Sequence, residues 1–277
     1  MTLASYLEQY QLLNRWQHWF LWITGCAIRH SAKALISKKF LTMALSPKVY
    51  LIVGSHDSGR RAIASDFIDS LGSESPILYF KHKDEVKSDW DTPLEELAQV
   101  STILWSVENT KIKHDSITES PSSIFFLAPS CVDLADVMEA LKGWLSKNNC
   151  QLTRIITVVD CKSLSENNSM NSWYEAAIHF SDMVLLNRRE GVGEKWIKDF
   201  VSNKKKQFHP TRFELVKKNR VNNPIDALDS QAYRTSLFFD DLIPIEEDEF
   251  EDLLPEDKKI DPYIERLESG KRRKPVV

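Results

Sequence analysis

Gly54-Ser55-His56-Asp57-Ser58-Gly59-Arg60-Arg61 is the stretch whose residue types and spacing could do chemistry. Two glycines with four residues between them, directly after an apolar run, have the spacing of a phosphate-binding GxxxxGK[ST] loop. Glycine at both positions lets backbone N–H groups turn inward around phosphate oxygens, and the N-terminus of a following helix adds partial positive charge. Ser55 and Ser58 lie within the loop and belong to the same candidate set of phosphate contacts. Arg60 stands where the pattern has lysine; it keeps the charge, but as a planar fork. Arg61 stands where a Ser or Thr hydroxyl would bind Mg²⁺, and a guanidinium has no lone pair to offer a metal. The plain alternative is a strand-to-helix turn that binds nothing. His56 and Asp57 are the nearby groups able to do acid–base work, and loop residues of this kind are ordinarily just solvated.

A loop of this kind works only between a buried strand and a helix. Val49-Tyr50-Leu51-Ile52-Val53 is a continuous apolar run ended by Gly54, as expected of a parallel strand covered on both faces. From Arg61 to Leu71 the residues Ile63, Ala64, Phe67, Ile68 and Leu71 share one helical face. Further strands are expected at Pro76–Phe80, Ser123–Ala128, Arg154–Asp160, Met183–Asn187 and Arg212–Val216. Helices are expected at Asp133–Lys147, Trp173–Phe180 and Glu194–Ser202, while Leu94–Val107 is apolar without evident chemistry. Strand–helix alternation predicts an α/β fold: a mainly parallel sheet with helices on both faces.

Composition narrows the function. With 36 basic and 40 acidic side chains the formal net charge is −4, so the chain lacks the basic footprint of a nucleic-acid binder. The four cysteines, Cys26, Cys131, Cys150 and Cys161, form no CxxC or CxC pair. A disulfide framework or structural zinc site is not expected, and a reducing, cytoplasmic compartment fits best. No HxH or HxxxH pair is present either, so no metal site is expected.

Residues 1–45 differ from the rest. They are basic, and the apolar run Trp16–Ile28, interrupted by Gln17 and His18, is shorter than the roughly 20 residues a membrane span needs. They read as an extension of open status, either an amphipathic presequence or surface helix, or a stretch upstream of a start at Met43. From Asp229 to the end the composition turns acidic, with Glu246-Glu247-Asp248-Glu249-Phe250-Glu251-Asp252, and then basic at Lys271-Arg272-Arg273-Lys274. This segment reads as a solvated, disordered tail, with Phe238-Phe239 and Leu253-Leu254 as its docking candidates.

Four stretches in order across residues 46–228 resemble the CobW-type P-loop GTPases, the relatives of HypB and UreG. The first is the loop itself. The second, Phe126-Leu127-Ala128-Pro129-Ser130-Cys131-Val132-Asp133, falls where that family has a strand ending in Glu-Thr-Ser-Gly. The third, Ile155-Ile156-Thr157-Val158-Val159-Asp160-Cys161, is similar to its strand ending in Val-Val-Asp-Ala. The fourth, Ser181-Asp182-Met183-Val184-Leu185-Leu186-Asn187-Arg188-Arg189-Glu190, matches its guanine-reading Ala-Asp-x-x-Leu-Leu-Asn-Lys-x-Asp segment. The resemblance implies a guanine-nucleotide site in which Asn187 and Glu190 contact the base.

The chain departs from that family where catalysis resides. Arg188 replaces the segment's lysine, Glu190 its aspartate, Leu127 an acidic residue and Ser130 a glycine. The family's Cys-x-Cys-Cys metal loop has no counterpart between Ser101 and Lys113. Phosphoryl transfer depends on positioned Mg²⁺ and charge stabilisation, and Arg61 and Leu127 remove both the loop hydroxyl and a nearby carboxylate. Asp160 is the one acid left to hold Mg²⁺ through water, and its alternative role is to cap the loop that follows. The implied function is a divergent GTP- or GDP-binding protein with weak or absent hydrolysis and no expected use of Mg²⁺. The alternative is a pseudo-GTPase that serves an unidentified protein partner as a scaffold without nucleotide. A P-loop kinase-like transferase ranks third, because it too needs Mg²⁺.

Overall fold

A computed structural model of the chain describes residues 46–240 and 260–276, apart from 74, 118–119, 131, 208, 230 and 232. The extension 1–45, Cys131, the acidic run 246–252 and Leu253-Leu254 lie outside the described residues. Among the described residues no helix is long and apolar enough to cross a membrane.

The continuous apolar runs become central strands. β1 (Lys48–Gly54) is buried from Val49 onward. From its end the chain turns through the loop into α1 (Arg60–Ser70). β2 (Ile77–His82) follows, then a short helix α2 (Asp91–Glu95), β3 (Val100–Glu108) and β4 (Lys111–His114). β5 (Ser123–Leu127) is buried at every position. Next come α3 (Leu134–Asn148), β6 (Gln151–Asp160), α4 (Cys161–Glu166) and α5 (Asn171–Phe180). β7 (Met183–Asn187), again wholly buried, is followed by α6 (Glu194–Lys206), β8 (Arg212–Leu215) and one turn of helix, α7 (Pro224–Ala227).

The strands form one eight-stranded sheet in the order β4-β3-β2-β5-β1-β6-β7-β8. All neighbours are parallel except β3 and β4. Side chains alternate across a strand, so β1 feeds two cores. Val49, Leu51 and Val53 pack with Leu134, Met138 and Leu141 of α3 and with Ala177 and Phe180 of α5. Tyr50 and Ile52 pack on the other face with Ile63, Ala64, Phe67 and Ile68 of α1. The fold is therefore the expected α/β, P-loop NTPase-like architecture. It puts the loop after β1 at the carboxyl ends of the strands, beside the ends of β5, β6 and β7, which is where open parallel sheets bind ligands.

Two regions depart from the sequence expectation. The apolar stretch Leu94–Val107, read as without evident chemistry, contains most of β3, the first strand of a hairpin. β3 returns as β4 through Asn109 and Thr110, both with positive φ (50° and 55°), the backbone of a type I′ turn. The second departure is the tail. Residues from 229 were expected to be solvated, yet among the described ones Tyr263, Ile264 and Val276 are buried in the core shared by α3 and α5. Arg272 makes this docking feasible. It donates to Asp136 at 2.5 Å, to Glu139 at 2.7 Å and to the Ile264 carbonyl at 2.7 Å. A segment rich in charge thus reaches the core through a few apolar contacts and one neutralised guanidinium.

Candidate phosphate-loop site

The two glycines are demanded by packing. A Cβ on Gly54 would lie 2.5 Å from Ser58 Oγ and 2.9 Å from the Val158 carbonyl. Gly59 has φ 84°, and a Cβ there would lie 2.5 Å from Asn187 Nδ2 and 2.6 Å from Asn219 Oδ1. Each glycine therefore marks a close approach that any side chain would obstruct.

The loop hydroxyls are engaged within the protein. Ser58 Oγ donates to the Ser55 carbonyl at 2.8 Å, and the Ser58 N–H meets the same oxygen at 3.2 Å. Ser55 Oγ accepts from the Tyr174 hydroxyl of α5 at 2.9 Å, and that hydroxyl accepts from the Asp160 N–H at 3.2 Å. Burial pushes the Tyr174 phenol up, so it stays a neutral donor. The loop is thus tied to β6 and α5 from below.

Arg60 and Arg61 are the centre of the site. Arg60 is 1% exposed, and its Nη1 donates to the Gly54 carbonyl at 3.1 Å and the Ser55 carbonyl at 2.8 Å. Its Nη2 donates to Glu85 Oε1. Arg61 Nη2 donates to Glu85 Oε2 at 2.6 Å, while its Nη1 donates to the Val86 carbonyl at 2.6 Å and to Asp91 Oδ2 at 3.1 Å. Lys81 Nζ reaches the same Asp91 oxygen at 2.7 Å. One carboxylate, Glu85, thus bridges both guanidiniums, and a second, Asp91, bridges Arg61 to Lys81. Burial alone would raise the Glu85 carboxyl; the Arg60 charge, the Arg61 hydrogen bond and charge, and the Ser130 N–H outweigh it and hold Glu85 below the usual carboxylate range. Burial pulls Arg60 below its ordinary value, and Glu85 opposes that shift.

The segment expected to read guanine is divided in the structure. Asn187, at the end of β7, points its Nδ2 to the Ser58 carbonyl at 2.8 Å and to Asn219 Oδ1 at 2.8 Å. Arg188, with φ 51°, lines a cleft of about 300 Å³ over the loop together with His56, Asp57, Lys87 and Trp90. Glu190 is solvent-exposed and is not among the residues lining that cleft. The structure thus brings Gly54, Ser55, Ser58, Gly59, Arg60, Arg61 and Asn187 together and leaves Glu190 outside.

The remaining candidates have other employment. Asp160 Oδ1 accepts from the Ser163 N–H at 2.9 Å and caps α4, the capping role of its two readings. Leu127 is fully buried at the end of β5. His56 lies 3.1 Å from Asp57 in an exposed pair. Among the described residues no group of three or more His, Cys, Asp or Glu is placed to hold a metal ion. A larger cavity of about 770 Å³ runs along β8, where Arg212 is already paired with Glu214 and Asp226.

Sequence reasoning missed Glu85, Asp91, Tyr174 and Asn219. The one available signal was the adjacent pair Arg60-Arg61 on a helix face that must be buried, because two buried cations require carboxylates from elsewhere.

No protein-family model matches the chain, and no curated protein matches it. Among solved structures it is similar to the Zn(II)-bound YjiA GTPase from E. coli, at 12% identity and a TM-score of 0.41, over 68% of this chain and 62% of that one. A Zn(II)-bound triple mutant of YjiA GTPase gives 12% identity, a TM-score of 0.41 and coverage of 67% and 61%. The chain therefore spans less than two thirds of that protein's length, and the likeness concerns the fold alone.

Proposed function

We propose that this chain is a pseudo-GTPase: a P-loop fold that serves as a protein-interaction module and does not hydrolyse GTP. The observation that carries this reading is the environment of Arg61. The position that would supply the Mg²⁺-binding hydroxyl holds a guanidinium engaged with Glu85, Val86 and Asp91. Phosphoryl transfer draws its rate from a metal and fixed charges around the γ-phosphate, so converting that position to an ion-pair anchor removes the metal's first ligand. Leu127 in place of an acid and Asp160 in a capping role support the same conclusion. The cytoplasm is the compartment that fits, with Cys150 and Cys161 both free thiols.

A second reading is guanine-nucleotide binding without hydrolysis. Asn187 beside the loop and Arg60 on the Gly54 and Ser55 carbonyls favour it. Calorimetry with GTP, GDP and ATP, with and without Mg²⁺, alongside phosphate release from GTP, tests both. The proposal expects no turnover and no effect of Mg²⁺. Micromolar GDP binding without turnover supports the second reading, and Mg²⁺-dependent GTP turnover would overturn the loss of catalysis.

A further inference from the structure

We infer that Glu85 is a built-in ligand of the phosphate loop, and that an external phosphate-type oxyanion binds there only by displacing it. The inference rests on the reading of the loop given above and specifies how the site is controlled.

The geometry comes first. The Glu85 side chain is 5% exposed, and its two oxygens go to two different guanidiniums, Oε1 to Arg60 and Oε2 to Arg61 at 2.6 Å. Oε1 also accepts from the Ser130 N–H beyond β5 at 3.4 Å. Two guanidinium forks and a backbone N–H beside the first turn of an 11-residue helix are the donors that a phosphate group would use. A carboxylate from the same chain occupies them. Arg60 also keeps a buried Nε without a partner, so one donor in this cluster is not satisfied by Glu85.

Charge points the same way. Arg60, Arg61 and Lys81 face Glu85 and Asp91. Lys81 has a further, looser contact with the half-exposed Glu95 at 3.7 Å. Three cations thus meet three carboxylates, and removing the Glu85 charge leaves a surplus positive charge under the loop. A buried cation without its partner is costly, and an incoming anion relieves it.

The segment that carries Glu85 depends on it for part of its anchoring. Between β2 and α2 the chain presents Val86 at 68% exposure and Trp90 at 44%, so its larger apolar side chains add little burial. Its ties to the rest of the fold include the Glu85 bridge, the Arg61 bond to the Val86 carbonyl and the Ser88 N–H to Asp91 at 3.0 Å. Two of these three run through Arg61 or Glu85. An oxyanion that takes the guanidiniums therefore loosens residues 85–90 as well, while Lys83 stays tied to β3 through its N–H to the Trp105 carbonyl at 2.9 Å. The ligand class is a phosphate ester or polyphosphate; a nucleotide and an inorganic polyphosphate share that chemistry.

The test is calorimetric titration of the full chain with inorganic tripolyphosphate and with GDP, comparing wild type, Glu85→Gln and the double variant Arg60→Ala/Glu85→Gln. Glu85→Gln keeps the side chain's shape and loses its charge. Its tripolyphosphate affinity is expected to rise more than tenfold, the double variant is expected to lose that gain, and hydrogen exchange of residues 85–90 is expected to quicken. Should circular dichroism show Glu85→Gln unfolded, Glu85→Asp, which cannot span both arginines, is expected to gain severalfold. A folded Glu85 variant that binds tripolyphosphate no more tightly than wild type overturns the inference. GDP gaining more than tripolyphosphate identifies a nucleotide as the natural displacer, and equal gains identify the polyphosphate group alone. The loss-of-catalysis reading fails on a different readout, Mg²⁺-dependent GTP turnover by the wild type, so the two cannot be confused.

Discussion

Asn187 donates from Nδ2 to the carbonyl oxygen of Ser58 at 2.8 Å, stitching the end of β7 to the loop ahead of α1. The same nitrogen reaches Asn219 Oδ1 at 2.8 Å. The residue that the motif resemblance would assign to base reading is therefore a structural cross-brace.

Replacing Asn187 with Ala leaves the buried Ser58 carbonyl and the half-buried Asn219 amide oxygen without this donor. An expected loss of about 1–3 kcal/mol follows from leaving such groups unsatisfied. Urea unfolding measures it directly, and an unchanged midpoint would show that Asn187 has no structural role.

Gly59→Ala tests the loop backbone. At φ 84° a Cβ is strained, and here it would also press on Asn187 and Asn219. Backbone strain alone costs about 1–3 kcal/mol, so thermal melting should fall by several degrees. A melting temperature equal to wild type would mean that the loop relaxes into another conformation.

The strands were legible because a parallel sheet covered on both faces needs uninterrupted apolar runs; Val49–Val53 and Met183–Leu186 could be little else. The β3–β4 hairpin was not, because it lies at the sheet edge, where Val100–Glu108 mixes Ser, Thr and Trp with buried and exposed positions. The loop was found from its glycines. Glu85 was hidden, because one acid among Lys83, Asp84, Lys87 and Asp89 has no spacing that sets it apart. Its importance arises only when β2 and α1 bring it between Arg60 and Arg61. The buried tail was hidden for a similar reason, since Tyr263, Ile264 and Val276 are isolated apolar residues amid charge.

Acid should loosen the end of the chain. Asp261 accepts from Ser236 Oγ at 2.5 Å and lies 2.7 Å from His179 Nε2. Burial raises its carboxyl, but these contacts with His179 and Ser236 outweigh burial and hold it below the usual range. A carboxyl lowered in the folded state contributes stability above its unfolded value of about 3.9 and loses it as pH falls through the folded value. Unfolding free energy should therefore decline with falling pH below about 5, and Asp261→Asn should flatten that slope. An identical slope in the variant would remove Asp261 as the source.

Arg272→Ala removes the cation that faces Asp136 and Glu139. Both acids are partly exposed, so solvent screens the loss, and a cost of about 1–2 kcal/mol is expected. Faster hydrogen exchange confined to residues 260–276 would locate the effect in the docked tail. Exchange spread evenly over the sheet would show that Arg272 supports the whole fold instead.

The Glu85 bridge has a consequence for how the protein responds to its surroundings. A fold whose loop waits for a soluble anion is more stable when that anion is abundant, because binding to the native state adds free energy with concentration. Here the anion is part of the chain, so it confronts Arg60 and Arg61 at a fixed effective concentration, on the order of millimolar for a short tether. An oxyanion that competes for these arginines is therefore expected to bind with an affinity reduced to the fraction of molecules in which Glu85 has let go, so the response is shifted to higher concentration and stays graded.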